Sequence, residues 1–105
     1  MTLIKAKQPG NAIPRVDKWE VESILYTIDV TDLIQHPNEM ANGIVEVRST
    51  LEILDAKTRS GKFIELRVPP NAVGSAQYKD YRVDILLKTS SENVRSATFT
   101  VRVYR

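Results

Sequence analysis

The chain contains no cysteine, which excludes a disulfide and any thiolate metal site. Stability must then come from packing and backbone pairing alone. There is one histidine, His36, followed by Pro37 in a polar loop, so a metal would find no second histidine or cysteine beside it. The four glycines, Gly10, Gly43, Gly61 and Gly74, are scattered and form no phosphate-cradling loop. No apolar run approaches the ~18 residues of a membrane-spanning helix. The opening residues, MTLIKAKQPG, have no apolar stretch of signal-peptide length, so the expectation is synthesis and folding in a cytoplasm.

What is present fits one soluble domain. The length is 105 residues, with 42% hydrophobic and 27% charged residues and a formal charge of +2. That balance lies outside the low-hydrophobicity, high-charge regime of disorder. The charge is uneven: residues 1–52 carry five Lys/Arg against eight Asp/Glu, and residues 53–105 carry ten against five. This reads either as two differently charged surfaces or as acidic and basic faces that stack on neighbours of opposite sign.

The dominant pattern is alternation with period two, the signature of a half-buried strand. In residues 81–89, Tyr81, Val83, Ile85 and Leu87 face one way, and Arg82, Asp84 and Lys88 the other. The last segment repeats this, with Ala97, Phe99, Val101 and Val103 inward and Thr98, Thr100, Arg102 and Tyr104 outward. Ser90-Ser91-Glu92-Asn93 between them reads as the turn of a hairpin. Ile64, Leu66 and Val68 form another inward set, stopped by Pro69-Pro70. Residues 23–30 place Ile24, Tyr26, Ile28 and Val30 on one face, and residues 43–48 set Val45 and Val47 against Glu46 and Arg48. A short strand is expected over residues 51–56, with a turn at Ser60-Gly61. Thr31 or Asp32 caps a single helical turn that His36-Pro37-Asn38 ends. Six or seven short strands without a useful helix predict an all-β sandwich or barrel.

Residues 1–16 differ, because Pro9-Gly10 and Pro14 break any regular element. They read as an extended N-terminal arm leading into a domain over residues 17–105. Leu3 and Ile4 belong either to an edge strand of the domain itself or to an arm that crosses onto a neighbouring subunit. In the docking reading the interface is Leu3, Ile4, Lys5, Lys7, Ile13, Arg15 and Trp19. Trp19 is either a lid on one end of the core or an interface anchor. The structural residues are Tyr81, Val83, Ile85, Phe99 and Val101, with Tyr81 placed like the tyrosine corner of Greek-key sandwiches. The carboxylate sets Glu20 with Glu22 and Asp29 with Asp32 read as solvated faces or turn caps, and no catalytic, cofactor or metal residue is expected.

The order of features resembles a family of small tailed-phage virion proteins built on an immunoglobulin-like sandwich. The matching stretches are Lys7-Gln8-Pro9-Gly10, residues 26–33 (YTIDVTDL), Phe63–Val68, residues 81–89 and residues 98–104. Ser96-Ala97-Thr98-Phe99-Thr100-Val101-Arg102-Val103 is similar to that family's closing-strand rhythm. The resemblance implies a non-enzymatic immunoglobulin-like sandwich of about seven strands, located in the virion. It would dock on capsid or tail proteins, or on copies of itself, as a decoration, cement or adaptor subunit. Small-molecule substrates, cofactors and membranes have no part in that reading. Two alternatives remain open: a glycan- or host-surface-binding module using exposed Trp19, Phe63 or Tyr104, and a nucleic-acid-binding barrel suggested by the pI of about 9.0.

Overall fold

The computed structural model describes residues 2–6, 13–34 and 39–105. Lys7 and the loop around His36 lie outside the described residues. The described residues form eight strands: β1 (Thr2–Lys5), β2 (Arg15–Trp19), β3 (Ile24–Asp29), β4 (Ala41–Arg48), β5 (Leu54–Arg59), β6 (Phe63–Val68), β7 (Tyr78–Thr89) and β8 (Val94–Tyr104). They form two four-stranded sheets, ordered β1-β3-β6-β5 and β2-β8-β7-β4. Both sheets are mixed. β1 runs parallel to β3 and β2 parallel to β8, while the other neighbours are antiparallel.

The alternation of apolar residues explains why the sheets face each other. Tyr26, Ile28, Ile64, Leu66 and Val68 from one sheet and Val83, Ile85, Leu87, Phe99, Val101 and Val103 from the other share one buried core. The rings of Tyr26 and Phe99 meet across it at 6.3 Å. The arrangement is sandwich-like, and the β7–β8 hairpin, paired from Tyr78↔Tyr104 to Lys88↔Val94, is its longest ladder.

Where alternation fails, a bulge is the reason. β4 shifts register between Ala41 and Gly43 and between Ile44 and Glu46. Ile44 and Val47 pack on the core as a result, and Val45, expected inward, is exposed. β5 shifts between Leu54 and Lys57, with Asp55 at φ 53°. The strand expected over residues 51–56 begins three residues later, at Leu54, and Leu51 reaches the core from the preceding loop. The helical turn is one 3₁₀ turn, Thr31–Leu33. Neither Thr31 nor Asp32 caps it; the Asp29 carboxylate accepts the Thr31 N–H at 2.9 Å instead. Tyr81 is buried inside the β7 ladder opposite Val101, three residues past the start of that strand at Tyr78.

The Ser60-Gly61 turn joins β5 to β6, with both residues at positive φ. Gly61 sits at φ 70°, its carbonyl accepts from the Ala41 N–H at 2.6 Å, and an added Cβ would strike the Met40 side chain. Gly74 has a similar φ of 69° but open space around it. Gly61→Ala is therefore expected to cost more stability than Gly74→Ala, where only the left-handed penalty of about 1–2 kcal/mol applies. Parallel urea titrations of the two variants check the order.

At the far end of the β7–β8 hairpin, Glu39 is buried beneath the turn. Burial alone would raise its pKa. Hydrogen bonding from Ser91, Asn93 and Thr89 and the nearby Arg95 charge outweigh this, so the carboxyl titrates below its usual range. The Asn93 Nδ2–Glu39 Oε2 contact is 3.3 Å. A folded pKa below the unfolded value makes the ionised carboxylate stabilising above about pH 4.5, and this is lost as pH falls through the folded pKa. Glu39→Gln should thus lower stability at neutral pH, and its gap to the wild type should shrink between pH 6 and 3. Urea midpoints across that range measure it.

Candidate functional site

The outer face of the β2-β8-β7-β4 sheet carries three ordered rungs. β2 alternates, sending Arg15, Asp17 and Trp19 outward while Val16 packs on the core and Lys18 is buried. Its register with β8 sets Arg15 beside Thr100, Asp17 beside Arg102 and Trp19 beside Tyr104. β7 extends each row, with Arg82 beside Thr100, Asp80 beside Arg102 and Tyr78 beside Tyr104. One rung is therefore aromatic from side to side: Trp19–Tyr104 at 5.7 Å and Tyr104–Tyr78 at 5.9 Å, tilted by 53° and 51°. Tilted pairs at this spacing are favourable ring geometries. Trp19 is 57% exposed and Tyr78 47%.

The next rung locks the first in place. Arg102 holds Asp80 with a two-pronged pair, Nε–Oδ1 at 2.7 Å and Nη2–Oδ2 at 3.0 Å. Its guanidinium also lies 4.3 Å from the Tyr78 ring centroid. The hydrogen bond from Arg102 holds the Asp80 carboxyl below its usual range, and the same bond raises the guanidinium. Two further arginines of this face are paired: Arg15 with Asp17 at 3.1 Å, and Arg82 with Asp84 at 3.2 Å.

Beside Trp19 the sheet end opens into a recess of about 270 Å³, lined by Asp17, Lys18, Trp19, Glu22 and Tyr104. The turn after β2 shapes it. Glu22 Oε1 accepts the Trp19 N–H at 2.6 Å, and the Glu20 N–H reaches the Tyr104 carbonyl at 2.7 Å. Glu20 secures the loop over residues 69–73, its carbonyl accepting from Asn71 and its carboxylate from Val73. Glu20 and Glu22 are thus committed to backbone donors in a turn, as is Asp29 at Thr31.

Lys18 donates from Nζ to Asn71 Oδ1 at 2.8 Å. Burial pulls its pKa down, partly offset by the Glu22 and Glu20 charges. Burial, with the Glu22 and Asp17 charges, pushes the Tyr26 phenol up to about 12, and its buried hydroxyl has no hydrogen-bond partner among the described residues.

The expected interface residues are partly gathered. β1 and β2 lie at the same flank of the two sheets, opposite the flank where β4 and β5 meet. Leu3 is 61% exposed, Lys5 and Arg15 are exposed, and Ile13 is exposed just before β2. Ile4 faces the core instead. Trp19 does not cover the core; it projects outward with Tyr104. Phe63 is half-buried on the other sheet, opposite Asp29 and Arg59, and is not part of the rung. Asp17, Lys18 and Tyr78 were not singled out as site residues in the sequence. Alternation in residues 15–19 was the signal, weakened because lysine occupies an inward position. Among the described residues no three His, Cys, Asp or Glu side chains cluster to hold a metal. Neither a protein-family model nor a curated protein matches the chain.

Proposed function

We propose that this chain is a non-enzymatic, immunoglobulin-like sandwich that serves as a structural subunit of a tailed-phage virion. It is made in the host cytoplasm and docks on capsid or tail proteins, or on its own copies, as a decoration, cement or adaptor subunit. The strand orders support the immunoglobulin-like part. β1-β3-β6-β5 follows the A-B-E-D order and β8-β7-β4 the G-F-C order of that fold, with β2 added beside the last strand. The two N-terminal strands depart from it by running parallel to their neighbours.

The observation that carries the docking role is the N-terminal flank. Residues 2–19 supply an edge strand to each sheet, and Leu3, Ile13 and Trp19 project there with large apolar surfaces exposed. Edge strands offer unpaired backbone groups, and exposed apolar anchors on a rigid edge suit a repeated protein contact. The committed carboxylates of Glu20, Glu22 and Asp29 favour a structural over a catalytic role.

The test is mass spectrometry of tailed particles purified from cells carrying the gene. The chain should copurify in stoichiometric amount. Leu3→Asp with Ile13→Asp, changes that leave the core untouched, should remove it from the particles. Particles that lack the wild-type chain would overturn the reading.

A further inference from the structure

The recess beside Trp19 has a mixed lining: the aromatic residues Trp19 and Tyr104 together with Asp17, Glu22 and the buried Lys18. Each polar group is already held by one bond. Glu22 is fixed by the Trp19 N–H, Lys18 by Asn71, and Asp17 by Arg15. The two carboxylates keep further capacity, since a carboxylate has about four acceptor sites. The site is therefore pre-arranged and not fully used.

We propose that this recess binds a neutral pyranose residue of a glycan. The ligand must offer an apolar face to Trp19 and Tyr104 and, at its rim, groups that donate. A sugar ring does this. Its C–H face lies on the indole, and its hydroxyls donate to Asp17 and Glu22. A cation would satisfy the rings, but the Asp17 charge is already answered by Arg15 at 3.1 Å. An anion would meet two carboxylates. An apolar side chain would strip water from Asp17 and Glu22 without replacing it. A volume of about 270 Å³ lies just below the usual small-molecule range of about 300–1,000 Å³, so one ring fits. The rest of the glycan then runs along the rung toward Tyr78. This inference stands apart from the virion reading, because it needs only the folded chain.

Trp19 is the only tryptophan, so its fluorescence reports on the site directly. The intact protein is titrated with neutral oligosaccharides of glucose, galactose, mannose and N-acetylglucosamine. At least one series should shift Trp19 emission saturably, with a dissociation constant on the order of a millimolar. Tyr104→Ala should weaken that binding about tenfold with unchanged circular dichroism. Asp17→Asn serves the same purpose if Tyr104→Ala fails to fold. Emission unmoved by every series up to roughly 50 mM would overturn the proposal. So would a shift caused by tetramethylammonium alone, which would make the recess a cation cage.

Discussion

Val101→Asp is expected to unfold the protein, whereas Thr100→Asp, one residue away, leaves it folded. Val101 is fully buried between the sheets. The substitution removes an apolar side chain whose burial is worth about 1.5–3 kcal/mol. It also leaves an unpaired carboxylate in the core, at several kcal/mol after relaxation. Together these rival the roughly 5–15 kcal/mol that holds a domain together. Thr100 points the other way and lies in register between Arg15 and Arg82. An aspartate there gains two cationic neighbours at a half-buried, outward-facing site, an effect on the order of 1 kcal/mol. Circular dichroism and urea unfolding of the pair should show a missing native baseline for the first and a midpoint close to wild type for the second.

Removing residues 1–6 is also expected to destabilise the domain, although proline and glycine follow that stretch in the sequence. β1 buries Ile4, Ala6 follows it into the core, and the Ala6 N–H bonds the Asp29 carbonyl at 2.9 Å. Burial of Ile4 alone is worth about 1.5–3 kcal/mol. The deletion also turns β3 from an inner strand into an open edge, with all the pairing groups that β1 had satisfied. The truncated chain should melt more than about 6 °C lower, at about 4–8 °C per kcal/mol for a domain of this size. It should also self-associate in sedimentation experiments. An unchanged melting temperature would mean that β1 is not part of the domain.

The parts legible in the sequence were those where alternation runs without interruption. The bulges fall on β4 and β5, not on β6, β7 or β8, so Ile64 through Val68 and Val83 through Val103 sit where the pattern predicts. β3 is similar, with Tyr26 and Ile28 inward. The rest was hidden for separate physical reasons. Two bulges in β4 turned Val45 outward and Ile44 inward, and bulges leave no composition signal. In β5 a bulge with left-handed Asp55 breaks the alternation. In β2 an inward position is held by Lys18, whose ammonium Asn71 satisfies from a loop 53 residues away, and the outward position is held by tryptophan. That inverts the usual composition of a strand's two faces, so β2 was not among the strands that alternation indicated. The aromatic rung depends on parallel pairing of β2 with β8, a long-range register that no local pattern encodes.

The claim on which both functional proposals lean is that β2 lies beside β8 and turns Trp19 outward onto Tyr104. Nuclear Overhauser contacts of the single indole test it directly. Cross-peaks from the Trp19 ring to the Tyr104 ring, and from Tyr104 to Tyr78, are expected from centroid distances of 5.7 and 5.9 Å. Strong contacts from the indole to the core residues Val101 and Phe99, without any to Tyr104, would contradict the fold at its N-terminal flank and remove the site with it.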